Sequence, residues 1–223
     1  MTADLPKLDG PRVRARSGRT KSLVVFLHGY GADGNDLIDI GRLWSPLLPD
    51  TSFVSPHAPE PCGETPVGRQ WFPLAATDPA RLRAGVVGAA PILDAFLDAE
   101  LDSYGIGDDR LALVGFSQGT MMALHAGVRR AKPLAGIVGY SGLLPAPEFL
   151  AAEMRQKPPI LLIHGDQDPL IPPMALFAAQ RILGDAGFPV EWHIRPGLAH
   201  GIDQEGLDLG STFLRRVLGA NHA

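Results

Sequence analysis

The chain has 223 residues, 45% hydrophobic and 20% charged, with a net charge of −4 and a pI of about 5.9. That composition belongs to a soluble globular protein, read as one domain over residues 1–223, and it carries no basic footprint for nucleic acid. Cys62 is the single cysteine, which excludes an internal disulfide and fits a reducing compartment. No apolar run approaches a membrane span, and the first residues lack a signal-peptide apolar region. The expectation is a cytoplasmic protein without stable membrane insertion.

In chain order, Arg12, Arg14 and Arg16 alternate, which predicts one solvated face of an edge strand. Residues 22–27 are apolar enough for a buried strand, followed by a glycine-rich turn from His28 to Gly34. A short helix is predicted over 35–44 and a short strand over 51–54. Residues 55–73 are rich in proline and glycine and too long for a simple connection, which suggests a functional loop. Asp78 opens a helical region in which Leu82, Val86, Leu93, Leu97 and Leu101 recur at near-helical spacing. Pro91 within it predicts a kink or a break. Strands are predicted over 110–114, 134–138, 159–164 and 190–195, and helices over 118–130, 173–183 and 202–218. Strands alternating with helices mean a mostly parallel central sheet with helices on both faces. Ligands of such sheets bind beyond the carboxyl ends of the strands.

Gly115-Phe116-Ser117-Gln118-Gly119 sits between the strand at 110–114 and the next helix. Gly-x-Ser-x-Gly at a strand–helix junction makes a nucleophile elbow, with the hydroxyl exposed above the sheet edge beside a helix N-terminus. A serine hydroxyl is a weak nucleophile at neutral pH and needs a base oriented by a carboxylate. Both should follow the serine, acid first. Asp168 lies in the turn after the strand at 159–164 and precedes a proline, which favours an extended conformation at the turn's tip. Asp166 competes with it, and is read as bracing the turn through local backbone hydrogen bonds. His200 stands in a glycine-flanked loop after the strand at 190–195 and is the candidate base. Of the other histidines, His28 and His164 end strands and shape backbone, and His57 lies in the proline-rich loop. His125 packs, His193 is within a strand and His222 is in the tail. The backbone N–H groups of Gln118 and Tyr30 are the candidate oxyanion donors, the latter freed to orient by Gly29 and Gly31. Trp71, Phe72, Leu74, Leu143, Leu144, Leu170 and Ile171 are candidates for an acyl pocket, against the alternative that they are core. Metal-binding histidine spacing is absent, and the chemistry requires no cofactor.

These segments, together with Pro56-His57-Ala58-Pro59, occur in one order across about residues 20–218. In this the chain resembles the phospholipase/carboxylesterase family of α/β-hydrolases, which includes the acyl-protein thioesterases. The resemblance implies an α/β-hydrolase fold, Ser117, Asp168 and His200 as a triad, and Tyr30 and Gln118 as oxyanion donors. It implies a cytosolic carboxylesterase acting on short- to medium-chain acyl esters, with lysophospholipase or acyl-protein thioesterase as the alternative. It also admits a homodimer. A non-catalytic binding protein on the same fold would need a lost triad member, and none is lost. Phe72-Pro73-Leu74 stands where thioesterases usually carry an aspartate after the aromatic pair, in a segment bordering the acyl pocket.

Overall fold

Six parallel strands and one antiparallel edge strand form the centre of the structure. The computed structural model describes residues 5–63, 67–74 and 78–219. The elements are β1 (Arg12–Val13), β2 (Ser22–Leu27), α1 (Gly34–Trp44), β3 (Thr51–Val54), β4 (Glu60–Pro61), β5 (Arg69–Gln70), α2 (Pro79–Tyr104), β6 (Leu111–Phe116), α3 (Gln118–Gly127), β7 (Gly136–Tyr140), α4 (Leu150–Glu153), β8 (Ile160–Gly165), α5 (Met174–Asp185), β9 (Val190–Arg195) and α6 (Gln204–Gly219). The sheet order is β1-β3-β2-β6-β7-β8-β9, with β4 and β5 paired separately as a small antiparallel ribbon.

Alternation along each strand divides the core between two faces. Leu23, Val25 and Leu27 of β2 face α2, α3 and α5, together with Leu93, Leu97 and Leu183. Val24 and Phe26 face α1 and α6, together with Trp44 and Phe213. Because β6, β7 and β8 are covered on both sides, they read as continuous apolar runs. The register aligns the strand ends: Leu27 lies beside Gly115, Phe116 beside Tyr140, and Gly165 beside Arg195. The turns after β2, β6, β7, β8 and β9 therefore leave one edge of the sheet side by side.

Four expectations need correction. α2 is not broken at Pro91, so of the expected kink or break the break is ruled out. Pro91 cannot donate to the Val87 carbonyl, but both residues are exposed, so the gap in the ladder faces water. Val86, Leu93 and Leu97 hold the opposite face. α3 stops at Gly127, and Arg130 beyond it reaches Asp94, Asp98 and Asp108. The arginine-rich strand contains only Arg12 and Val13, although Arg12, Arg14 and Arg16 do share an exposed side. The proline-rich stretch is not wholly irregular, because it contains β4 and β5.

Candidate active site

Ser117 follows β6 with φ of 53° and ψ of −115°. A non-glycine residue in that region costs about 1–3 kcal/mol, so its surroundings must hold it there. Its N–H donates to the Tyr140 carbonyl at 2.9 Å, and its own carbonyl accepts from Thr120 N–H at 3.0 Å. The Thr120 hydroxyl donates to the same Tyr140 carbonyl at 2.8 Å. The motif's glycines are required by close approach. A Cβ on Gly119 would lie 1.8 Å from the Leu27 carbonyl oxygen, and one on Gly115 would lie 2.5 Å from Thr120 Cα. The start of α3 is thus pressed against the ends of β2 and β6, and Ser117 is left partly exposed between them.

Asp168 is buried in the turn after β8 and is saturated with donors. Oδ1 accepts the backbone N–H groups of Leu170 and Ile171, both at 2.9 Å. Oδ2 accepts His200 Nδ1–H at 2.7 Å. Burial alone would raise its pKa, but the Ile171, His200 and Leu170 hydrogen bonds outweigh that and hold it below the usual carboxylate range. His164, also buried, directs Nε2 to the Ile171 carbonyl at 2.8 Å and stands 3.1 Å from Asp168 Oδ2. Both neighbours are acceptors, so Nε2 carries the proton.

The His200 loop is fastened from three sides. Asp166 Oδ1 accepts Gly197 N–H at 2.7 Å, so its bond crosses to the loop after β9 and does not brace its own turn. Ser141 Oγ donates to the Gly201 carbonyl at 3.1 Å. A Cβ on Gly165 would lie 2.1 Å from the Leu198 carbonyl oxygen, so the loop passes directly over the end of β8. The Phe116 ring lies 5.0 Å from the His200 ring, centroid to centroid. It also packs on Gly29, whose position for a Cβ is 3.4 Å from Ser117 Cβ. Ser117, His200 and the loop after β2 are thereby brought together around Phe116.

That loop is held by buried polar contacts. His28 donates Nδ1–H to the Gly29 carbonyl at 2.8 Å and accepts Ala58 N–H at Nε2 at 3.0 Å. Burial lowers its pKa to about 4, so the ring is neutral. Gly31 N–H donates to the Arg69 carbonyl at 2.9 Å, and Arg69 N–H returns a bond to Ala32 at 2.8 Å. Tyr30 lies within this ribbon, half-buried.

Among the candidate pocket residues, Trp71 and Phe72 are 1% and 2% exposed. Trp71 donates its indole N–H to the His28 carbonyl at 3.0 Å, and Phe72 packs on Gly85 of α2. They back the site and offer it little surface. Leu144 and Ile171 are buried in the core, Leu143 is half-buried, and Leu74 and Leu170 are 40% and 70% exposed. His57 accepts Gly34 N–H, His125 is buried in α3, His193 is in β9, and His222 lies outside the described residues.

Three contributors escaped the sequence reading: Phe116 against His200, the Ser141 pin, and the Gln118 side chain. None of the three left a local sequence signal; burial of the Gln118 side chain shows only in the fold. Every residue of α3 is buried, and a buried glutamine demands partners. Its carboxamide accepts Trp71 N–H at 3.0 Å and donates to the Phe72 carbonyl at 2.8 Å.

Among known structures, the chain superimposes on esterase PE8 with a TM-score of 0.92 and 48% identity, over 96% of this chain and 100% of that one. It is 31% identical to esterase YpfH of Escherichia coli, over 89% of this chain and 84% of the relative. It is 32% identical to acyl-protein thioesterase 1 of Schizosaccharomyces pombe, over 88% and 91% respectively. The phospholipase/carboxylesterase family model matches residues 8–218. With the parallel sheet and elbow described above, these matches show that the chain belongs to the phospholipase/carboxylesterase family of α/β-hydrolases.

Proposed function

We propose that this carboxylesterase hydrolyses short- to medium-chain acyl esters through an acyl-serine intermediate on Ser117. The observation that carries the reading is the 2.7 Å bond from His200 Nδ1–H to a buried, donor-saturated Asp168. With Nδ1 carrying the proton, Nε2 presents its lone pair to the serine side. His200 removes the Ser117 proton as Oγ attacks the ester carbonyl carbon. Asp168 fixes the tautomer and stabilises the imidazolium that forms. His200 then gives the proton to the departing alcohol, and a water deprotonated by His200 releases the acid. The route needs no metal or organic cofactor.

The oxyanion is assigned to the backbone N–H groups of Gln118 and Tyr30. Gln118 is the first residue of α3, where amides have no intrahelical acceptor and the helix dipole favours negative charge. Each such donor contributes about 3 kcal/mol to transition-state stabilisation. Leu74, Leu143, Leu170 and Ile171 are assigned to the acyl chain, with Trp71 and Phe72 behind them.

Relatives named acyl-protein thioesterase 1 favour a second reading, in which the same acyl-enzyme forms from a long-chain thioester. A chain-length series of p-nitrophenyl esters, run beside lysophosphatidylcholine and a palmitoyl thioester, separates the two. The ester reading predicts that kcat/KM peaks between acetyl and octanoyl. A maximum at palmitoyl or on lysophosphatidylcholine would overturn the chain-length claim, and a maximum on the palmitoyl thioester would overturn it in favour of the second reading.

A further inference from the structure

We propose that the Gln118 side chain is a positioning residue that clamps the Trp71–Phe72 backbone to the nucleophile elbow and so sets acyl-chain selectivity. The inference rests on the esterase reading and adds a role for a side chain whose backbone N–H already has one. Gln118 is 1% exposed, and its carboxamide bonds two consecutive residues, accepting from Trp71 N–H and donating to the Phe72 carbonyl.

The clamped segment is also tied to the loop after β2. Arg69 exchanges backbone bonds with Gly31 and Ala32, and the Trp71 indole bonds the His28 carbonyl. Arg69 further donates Nε–H to the Ala58 carbonyl at 2.7 Å and Nη2–H to the Pro59 carbonyl at 2.8 Å. Trp71, bonded to Gln118 through its backbone N–H and to His28 through its indole, therefore joins the start of α3 to the loop that carries Tyr30 and to the chain leading to Leu74. Leu74 follows the clamped Phe72 by two positions and is 40% exposed, so where it sits depends on where the clamp holds that backbone. Without the carboxamide, a buried N–H and a buried carbonyl lose their partners, and the segment must shift to satisfy them.

The test uses Gln118→Met, which keeps length and every backbone group but has no amide, and Gln118→Glu, which keeps the acceptor for Trp71 N–H and loses the donor to Phe72. In Gln118→Met, hydrogen exchange at the Trp71 amide should accelerate at least tenfold. The ratio of kcat/KM for octanoyl over acetyl p-nitrophenyl ester should fall at least fivefold. Gln118→Glu should retain more of the Trp71 protection and move the ratio in the same direction, and it carries both arms if Gln118→Met does not fold. Unchanged exchange overturns the clamp. Accelerated exchange with a ratio within twofold of wild type overturns the selectivity role and leaves a structural one. A folded wild-type protein that hydrolyses no ester overturns the esterase reading and the selectivity role with it, while the exchange arm still decides the clamp.

Discussion

Asp168 shows how a carboxylate kept from water stays charged: two backbone amides and the His200 imidazole replace the solvent, with His164 Nε2–H also close to Oδ2. Removing its charge while keeping its shape isolates its task. In Asp168→Asn, one carboxamide oxygen can still accept from Leu170 and Ile171, but the amide group would face His200 Nδ1–H donor to donor. The imidazole then takes the other tautomer, and kcat should fall about 10⁴-fold with the fold retained, as measured by ester hydrolysis and thermal melting. The places of Ser117, Asp168 and His200 in the turns after β6, β8 and β9 were legible in the sequence because they follow from backbone topology. The Gln118 clamp, the Phe116 contact and the Ser141 pin were not. Each depends on which distant backbone or ring comes to lie beside it, and local pattern does not encode that. Asp166 was misread for the same reason, since its partner Gly197 belongs to another turn.

At the scale of elements, two substitutions probe opposite tolerances. Pro91→Ala restores a donor for the Val87 carbonyl on the exposed side of α2. It should stabilise the protein by about 2 kcal/mol, the helix-interior proline penalty of about 3 kcal/mol less the roughly 0.4–1 kcal/mol that the freed unfolded chain regains in entropy. Denaturant unfolding measures this, and a loss of stability would show that the helix has adapted to the proline. Gly119→Ala forces a methyl group into the Leu27 carbonyl. It should cost about 3 kcal/mol or more, seen as a lower melting temperature together with lower activity, because α3 must move away from β2. The strands of the central sheet were readable as apolar runs. Pro91 misled because proline's effect depends on which face of a helix it occupies; the spacing of Val86, Leu93 and Leu97 sets Pro91 on the opposite, solvent side, where a missing ladder bond is tolerated.

For the whole molecule, acid lability follows from buried neutral imidazoles. Burial holds His28 and His125 at about 4, against 6.5 for an unperturbed histidine, and Arg129 adds to the effect at His125. Above pH 6.5 both the folded and the unfolded chain carry neutral rings, and the stability these groups contribute is fully present. As pH falls from 6.5 towards 4 the unfolded chain takes up protons first, so stability is lost by up to about 3 kcal/mol for each histidine. Asp168, held below the usual carboxylate range, extends the loss to still lower pH. His125 Nδ1 has no hydrogen-bond partner among the described residues, so His125→Leu should cost little at pH 8. It should also remove up to about 3 kcal/mol of the loss between pH 7 and 4.5 in urea titrations, and an unchanged pH dependence would contradict the buried-neutral assignment.

In the proposed mechanism the strained Ser117 is a nucleophile activated by His200 and Asp168. Fluorophosphonate labelling followed by peptide mapping tests it most directly. A single adduct on Ser117, none in Ser117→Ala, and labelling of His200→Ala slowed at least 10³-fold are expected. An adduct on another residue, or no adduct on folded wild-type protein, would contradict it.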